Sequence, residues 1–273
     1  MMTFGTIGAF GFDDIDPPTI LGLYRDTGCT VLQAYRNRLK KITAKDILTQ
    51  SKDIGLTVDS LHAHFGDDLD PSSEVERTRT AATEAYKREA DYCLDLGAKL
   101  LVIHPSPAHA PAGDVERRYA QLRKSFKEYA KIGEQTGAIF AFENMPPYHP
   151  VGGDVQRLVK EVADFGSPHV VFMLDFGHAH MTCGIVEALQ AAGANMKYTH
   201  VHDNDGVNDT PRMPYNGTLP WDARRDAIQA IGYNGVFLLE VFEKAEDMRR
   251  LMTDQWRKNM QAIIDSPTPG KQP

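Results

Sequence analysis

Short runs of apolar, strand-forming residues alternate with longer stretches of helical pattern along the chain. In the longer stretches apolar residues recur every three or four positions, as Leu122, Phe126 and Tyr129 do, which is the spacing of one helix face. Glycines such as Gly137 and Gly166 come just after these stretches, where helices commonly end. The pattern predicts strands over residues 4–10, 30–34, 56–65, 99–104, 138–143, 169–175, 197–202 and 236–241. It predicts helices over residues 74–96, 115–135, 154–165, 184–192, 221–231 and 243–264.

Eight strand–helix units predict a single (β/α)8 TIM barrel. Strands joined through helices pair in parallel with right-handed crossovers, and 273 residues suit a barrel of roughly 250 residues. An open dinucleotide-binding sheet would need a G-x-G-x-x-G turn after its first strand, whereas Gly5, Gly8 and Gly11 have a different spacing. We expect one barrel over residues 1–265, with its active site at the C-terminal ends of the strands, and a flexible tail over residues 266–273.

Charge and composition narrow the partners and the location. The chain has 30 basic and 37 acidic residues and a formal net charge of −7, which counts against a nucleic acid as partner, since such proteins usually have a basic surface. No apolar run approaches the roughly 20 residues of a membrane helix, and the first residues lack the basic segment of a signal peptide. The three cysteines lie far apart, which fits a reducing compartment. We expect a cytoplasmic protein with a small-molecule partner, for which a homo-oligomer is allowed but not indicated.

Histidines concentrate where the predicted strands end, which is where TIM barrels have their active sites. Spread evenly, the ten histidines would place about one among roughly two dozen such positions. Six lie there: His62, His64, His104, His178, His200 and His202. This excess indicates a site. The other four are expected in solvent or in structural roles: His109 and His149 in Pro-rich loops, His169 and His180.

Three carboxylates follow apolar strand residues at the same end of the barrel: Glu143, Asp175 and Glu240. Burying like charges together costs several kcal/mol per ion unless a cation compensates, and no Lys or Arg flanks any of them. A divalent metal ion, with His200 or His202 as a fourth ligand, is the simplest compensation. Such a ligand set suits Mn²⁺, Mg²⁺, Co²⁺ or Zn²⁺, and the lack of thiolates argues against a structural zinc.

Each of these features also has a purely structural explanation. Glu143 can be a salt-bridge partner, Asp175 can be a helix N-cap beside a core histidine, and His62 and His64, two apart on one strand, can be hydrogen-bonded core residues. These explanations would have to hold at strands five, six, seven and eight at once. The joint pattern therefore favours the metal hypothesis.

Four motifs in order give the chain a family resemblance. Phe142-Glu143-Asn144-Met-Pro146, Leu174-Asp175-Phe-Gly-His178, His200-Val-His202-Asp203-Asn204 and Leu239-Glu240 resemble the xylose isomerase-like TIM-barrel superfamily. This superfamily includes isomerases and epimerases of sugars and sugar phosphates, inosose dehydratases and AP-endonuclease-type enzymes. The resemblance implies one divalent metal ion held by Glu143, Asp175, His200 and Glu240, with His200 favoured over His202 because H-V-H-D-N looks most like the family's H-L-K-D-N.

The resemblance also implies a reaction, in which a proton is removed next to the carbonyl of a sugar or sugar phosphate and returned through an enediolate. Glu143 and Glu240 resemble the acid/base pair of the family. The side chains expected to contact the substrate are His62, His64, His104, His178, His202 and Arg212.

Three alternatives remain open. An inosose-type dehydratase would use the same metal and the same proton abstraction. An AP-endonuclease-like phosphodiesterase would need a trinuclear site, and the D-x-H pair of that branch has no match because no histidine follows His202. A non-catalytic sugar-binding barrel would tolerate loss of one acid, although all four metal positions are intact.

Overall fold

A computed structural model describes residues 1–110 and 113–265. Within these ranges the strands form a closed parallel barrel in which each strand pairs with its neighbours in chain order and the eighth pairs with the first. The strands are β1 (Thr3–Phe10), β2 (Val31–Arg36), β3 (Thr57–His62), β4 (Leu100–Ile103), β5 (Ile139–Glu143), β6 (Val170–Asp175), β7 (Met196–Val201) and β8 (Val236–Leu239). The expected (β/α)8 barrel is confirmed, and the tail expected at residues 266–273 lies outside the described residues.

Helices surround the barrel and connect its strands. They are α1 (Pro17–Arg25), α2 (Ala44–Ile54), α3 (Glu76–Asp95), α4 (Val115–Thr136), α5 (Val155–Phe165), α6 (Phe176–Met181), α7 (Ile185–Ala192), α8 (Trp221–Ile231), α9 (Ala245–Leu251) and α10 (Asp254–Ile264). Side-chain caps begin several of them: Asp114 accepts from the backbone N–H of Arg117 at α4, and Asp154 accepts from that of Arg157 at α5. These caps satisfy donors that a helix start leaves unpaired.

Apolar side chains fill two regions of the fold. The larger lies between the helices and the outer face of the strands, and the smaller fills the interior of the barrel. The interior cluster consists of Ile7, Val102, Ala141, Met173, Tyr198 and Leu238. Because these residues close the interior, polar side chains at the strand ends meet above a packed floor and not around an open channel.

The element boundaries differ from the sequence prediction in two places that matter. Strand β3 ends at His62, whereas the apolar pattern extended it to residue 65. The helix predicted over residues 243–264 is two helices, because Thr253 starts α10 by accepting a hydrogen bond from the backbone N–H of Trp256. Helices α1, α2 and α6 had no counterpart in the prediction.

Across the part of the chain that the structure describes, none of the helices has the length and apolar character needed to cross a membrane.

Candidate metal centre

Four potential metal ligands meet at the C-terminal mouth of the barrel. Glu143 ends β5, Asp175 ends β6, His200 lies near the end of β7, and Glu240 directly follows β8. One donor atom from each lies within 4.8 Å of the others. The Nδ1 atom of His200 is 2.9 Å from Glu143 Oε1 and 2.9 Å from Glu240 Oε2. Consecutive parallel strands thus bring together residues that are far apart in the sequence.

The imidazole and the carboxylates stabilise each other's charged forms. Burial alone would raise the pKa of the Glu143 carboxyl, but the charges of His200 and His104 and the hydrogen bond with His200 outweigh it, so that this pKa is well below its ordinary value. Burial alone would lower the pKa of His200, but Glu240 and Glu143 outweigh it and raise that pKa well above its ordinary value. Protons on the neighbouring histidines supply positive charge that the buried carboxylates need, and a divalent cation can take the place of such a proton.

Two carboxylate oxygens at the centre have no hydrogen-bond partner although they are buried: Glu143 Oε2 and Asp175 Oδ2. The Nε2 atom of His104 lies 3.3 Å from Glu143 Oε2, but without the alignment of a hydrogen bond. A buried, unsatisfied carboxylate oxygen is costly. Together with the three-carboxylate, one-imidazole donor set, these oxygens fit a hard divalent cation.

His200 is oriented from below by a chain of polar side chains. Its Nε2 atom lies 2.8 Å from Gln33 Oε1, and because this oxygen can only accept, Nε2 carries the hydrogen of this bond. The Gln33 amide in turn donates to Ser60 Oγ, 3.2 Å away. An acceptor on the far side of the ring fixes its orientation and leaves Nδ1 facing the carboxylates, as in many metal-binding histidines.

Asp175 has a structural role as well as a place in the centre. Its Oδ1 atom caps helix α6 by accepting from the backbone N–H of His178 at 2.6 Å. The Asn144 side chain accepts from the backbone N–H of Asp175 at 2.7 Å and donates to its carbonyl oxygen at 3.0 Å. The N-cap explanation and the metal hypothesis are therefore compatible, since one oxygen caps the helix and the other is unpartnered.

Three further donor groups share carboxylates with the first. They are His62 with His104 and Glu143, His62 with His200 and Glu240, and Asp175 with His178 and His202. The Nε2 atom of His202 lies 3.2 Å from Asp175 Oδ1. The D-x-H pair of the endonuclease branch still has no match, and His202, with His178 from α6, completes a different donor group around Asp175.

His178, at the rim of the cavity, is a strongly basic histidine. Burial alone would lower its pKa, but the carboxylates of Asp175 and Asp209 outweigh this and raise the pKa of His178 to about 10. Its Nε2 atom lies 3.4 Å from Asp209 Oδ2. The pKa of His62, in contrast, is lowered to about 4 by burial and by the neighbouring His104, so that His62 is neutral at physiological pH.

A cavity of about 960 Å³ opens above these groups. Of the expected site residues, those that line it are Glu143, Glu240, His62, His104, His178 and His202. Asp175 and His200 lie beneath them, fully buried. The structure therefore brings eight of the ten expected site residues together.

The structure does not bring His64 and Arg212 into this cavity. His64 Nδ1 lies 3.1 Å from Glu89 Oε1, and its Nε2 atom bonds the backbone oxygen of Arg36. His62 and His64 would share a face only if one strand ran through both. Because β3 ends at His62, they do not. The Arg212 side chain is 42% exposed and approaches only Asp205, at 3.9 Å.

Several lining residues escaped the sequence analysis. His149, expected in solvent, is half-buried and lines the cavity, its Nδ1 atom 2.8 Å from the backbone oxygen of Ser106. Burial lowers the pKa of His149 to about 4. Its Pro-rich loop is typical of an exposed segment, and no feature of the local sequence shows that the loop folds over the mouth of the barrel. Aromatic residues also line the cavity, and two of them follow closely on strand ends: Phe65 after β3 and Phe242 after β8.

Comparison with known proteins gives a family match over most of the chain. The model of the xylose isomerase-like TIM-barrel family matches residues 21–264. An uncharacterized protein of Methanocaldococcus jannaschii is 29% identical over 186 residues, which are 66% of this chain and 63% of that protein. An uncharacterized protein of Sinorhizobium fredii is 36% identical over 70 residues, 25% of this chain and 22% of that protein. The chain thus spans less than two thirds of the length of these curated relatives.

Solved structures share the fold at low identity. A D-tagatose 3-epimerase-like protein superposes with a TM-score of 0.76 at 20% identity, over 96% of this chain and 98% of that one. A D-psicose 3-epimerase crystallised in the presence of D-fructose gives 0.72 at 17%, over 96% of each chain. The 3-keto-D-glucoside 4-epimerase of E. coli gives 0.72 at 16%, over 96% of this chain and 99% of that one.

Proposed function

The chain belongs to the xylose isomerase-like TIM-barrel family, and from this premise we propose that it is a divalent-metal-dependent isomerase or epimerase of a sugar or sugar phosphate. The reaction is proton removal next to a carbonyl, through an enediolate. The observation that supports it most is that Glu143 and Glu240 flank one imidazole nitrogen and both line the same large cavity. The structural neighbours include a D-tagatose 3-epimerase-like protein and a D-psicose 3-epimerase, which point to the same substrate class.

Glu143, Asp175, His200 and Glu240 would hold the metal ion, with Mn²⁺, Mg²⁺, Co²⁺ and Zn²⁺ as candidates. When bound, a divalent ion of this kind acts as a Lewis acid that polarises a carbonyl oxygen and makes the neighbouring C–H bond more acidic.

The side chains of the chain itself supply the proton transfers. Glu143 is ionised, because its pKa is lowered, and it accepts the proton from the carbon. In an epimerisation Glu240, from a different strand, would enter the step in its acid form and give its proton to the opposite face of the same carbon. In an isomerisation the proton taken by Glu143 would be returned to the neighbouring carbon. The neutral His62 and the cationic His178 offer hydrogen bonds to substrate hydroxyl groups from the same cavity wall. His104 and His202 lie beside them.

Replacing either acid tests this assignment. We expect Glu143→Gln and Glu240→Gln to lower turnover by at least about 100-fold, because general acid–base catalysis contributes about 10² to 10⁴. Turnover is followed as uptake of solvent deuterium next to the carbonyl across a panel of ketoses and aldoses with metal added. Circular dichroism shows whether the variants remain folded.

Glu187→Gln, an exposed change on α7, is the matched control and should keep full activity. Full turnover by either site variant would contradict the acid/base assignment. If the wild-type protein exchanged no deuterium into any sugar of the panel, the enediolate reaction would be excluded.

A metal-dependent phosphodiesterase of the AP-endonuclease type is the second candidate, since four overlapping donor groups are present. Metal content discriminates: one divalent ion per chain supports the isomerase, three zinc ions support the phosphodiesterase, and none supports a non-catalytic sugar-binding barrel. An inosose-type dehydratase would share the single ion, and release of water from the substrate would identify it.

A further inference from the structure

Asp209 is a carboxylate in the cavity that neither the four metal donors nor the acid/base pair includes. It lies in the loop of residues 202–220 that connects β7 to α8, and its side chain lines the cavity and is 27% exposed. The Oδ2 atom of Asp209 lies 3.4 Å from Nε2 of His178, and the hydroxyl group of Tyr148 donates to the same atom at 3.5 Å. Asp209 therefore contacts one residue of α6 and one residue of the loop after β5.

The loop holds Asp209 in this place through hydrogen bonds of its own. The backbone groups of Asp203 and Arg212 bond each other in both directions at 2.9 Å, which closes the base of the loop. The Oδ1 atom of Asp205 accepts from the backbone N–H groups two and three residues further along, at 2.9 and 2.7 Å, which fixes the turn just before Asp209. The position of Asp209 in the cavity wall is thus defined from both sides.

His178 places a hydrogen-bond donor beside this acceptor. Its Nδ1 atom lies 2.8 Å from the backbone oxygen of Asn144, and because a carbonyl oxygen only accepts, Nδ1 carries a hydrogen. Nε2 is the nitrogen that faces Asp209, and since a carboxylate also only accepts, Nε2 carries a hydrogen in this contact. A donor of His178 and an acceptor of Asp209 therefore lie side by side.

The pair has hydrogen-bonding capacity to spare. The contacts of Asp209 at 3.4 and 3.5 Å are longer than charge-assisted bonds, which are commonly about 2.7–2.9 Å. Among the described residues, no hydrogen bond reaches the Oδ1 atom of Asp209. Burial alone would raise the pKa of the Asp209 carboxyl, but the contact with His178 outweighs it and lowers that pKa. An ionised acceptor with unused lone pairs thus faces the ligand.

A donor and an acceptor side by side match a hydroxyl group. The hydroxyl oxygen accepts from His178 while its hydrogen is donated to Asp209, whereas an ether, a ketone or a phosphate dianion has no hydrogen to donate. The carboxylate also repels an anionic group at so short a distance. Sites that are built to hydrogen-bond a substrate hydroxyl discriminate strongly against analogues that lack it.

We propose that Asp209 is a specificity-determining residue, which together with His178 binds one hydroxyl group of the substrate and excludes an ether or an anionic group from that position. The class of ligand, a sugar with a carbonyl group, rests on the proposed function. The role of Asp209 rests on its contacts in the cavity. A sugar that is phosphorylated at this hydroxyl group is then a poor ligand.

Binding of matched sugars tests this. D-Fructose, D-xylulose, D-glucose and D-xylose are titrated into manganese-loaded protein by calorimetry, and the tightest ligand is then replaced by its monodeoxy analogues, one for each hydroxyl group. Asp209→Ala should weaken binding of the parent sugar about ten- to a hundredfold, the range of a hydrogen bond to a charged group. One monodeoxy analogue should bind the wild type and Asp209→Ala equally tightly, because the analogue and the variant remove the two ends of the same hydrogen bond.

Two further variants separate recognition of a hydroxyl group from an effect on the loop. Val207→Ala removes a 75% exposed side chain from the same loop and should change no affinity. Tyr148→Phe removes a contact of Asp209 but leaves its carboxylate, so it should weaken binding less than Asp209→Ala does. Elemental analysis checks that all variants hold the same amount of manganese.

The proposal is overturned if Asp209→Ala binds the parent sugar as tightly as the wild type, or if none of the four sugars binds. It is also overturned if Asp209→Ala weakens every monodeoxy analogue by the same factor as the parent, because that result indicates only a structural role in the loop. Binding needs no turnover, so these outcomes are separate from a failure of the deuterium exchange that tests the isomerase.

Discussion

His200 connects the candidate metal centre to the interior of the barrel, because its Nδ1 atom faces Glu143 and its Nε2 atom faces Gln33. From its Nε2 atom the polar chain through Gln33 and Ser60 continues to the hydroxyl of Tyr198, 2.8 Å from Ser60 Oγ. The Tyr198 hydroxyl donates to the carboxylate of Asp59, with both oxygens at 3.1 Å. Asp59 is the extra residue of a β-bulge, since Leu32 pairs with Val58 and Gln33 with Ser60. The bulge makes room for this carboxylate in the interior.

Asp59 makes stability depend on pH. Burial outweighs the hydrogen bonds from Ser60 and Tyr198 and raises the pKa of Asp59 from 3.8 to about 6. Between these pH values the folded protein keeps a proton that the unfolded chain has released, so the stabilisation is complete below pH 3.8 and is lost as the pH rises to about 6. Between pH 4.5 and pH 7 the wild type should lose about 2 kcal/mol of the free energy of unfolding through this group, and Asp59→Asn should not show that loss. Urea unfolding at both pH values measures the difference.

The exposed Asp53→Asn on α2 is the control and should retain the wild-type pH dependence. An unchanged pH dependence in Asp59→Asn would show that this carboxyl titrates normally in the folded protein.

At the scale of elements, helix α6 positions the donor group formed by Asp175, His178 and His202. It begins at Asp175, brings His178 to the rim, and packs against His202 through Gly177. A Cβ atom on Gly177 would lie 1.9 Å from Cε1 of His202. The backbone oxygen of Gly177 also accepts a hydrogen bond of 2.9 Å from Asn204. The glycine is thus required by the close approach of an imidazole ring and not by backbone conformation.

Gly177→Ala should displace His202 and damage the site. We expect a loss of about 1–3 kcal/mol of stability from overpacking, and at least a tenfold loss of turnover, measured by urea unfolding and by deuterium exchange. Gly22→Ala is the matched control, since this helical glycine on α1 has nothing within 4 Å of an added Cβ. It should be more stable by about 0.5–1 kcal/mol. Equal effects of the two changes would contradict the role of Gly177.

The elements also show what the sequence could and could not predict. Strands ending in Glu143, Asp175 and Glu240 were predictable, because long apolar runs closed by one carboxylate are unusual. The end of β3 was not, because Ser60-Leu61-His62-Ala63-His64 continues the strand pattern past the last strand residue. His149 and the aromatic residues that line the cavity, such as Phe65 and Phe242, lie in loops that meet only in three dimensions, and no local pattern encodes such a meeting.

At the scale of the whole molecule, the candidate metal centre brings together residues at the ends of four of the eight strands of the barrel. Its four donors come from β5, β6, β7 and the residue after β8, strands that are neighbours in the closed sheet. Unfolding separates them, so a cation that binds this set binds only the folded chain and stabilises it by mass action.

Adding metal should therefore raise the free energy of unfolding, by about 2.7 kcal/mol when the free ion is at 100 times its Kd. Because Nδ1 of His200 must be unprotonated to bind a cation and the pKa of His200 is raised, the gain should increase with pH. Thermal unfolding with Mn²⁺ and with EDTA measures it. Glu240→Gln should show a smaller gain, and equal melting temperatures with and without metal in the wild type would contradict a site at these four residues.

The aromatic residues that line the cavity have a consequence for how such an enzyme can diversify. Phe12 and Phe242 lie in loops beyond β1 and β8, whereas the donors are anchored at the ends of the strands. A combinatorial library at positions 12 and 242 can therefore vary the ligands that the cavity accepts while the donors keep their places. Position 65 belongs to the site itself, because the Phe65 ring stacks on that of His104 with centroids 4.6 Å apart.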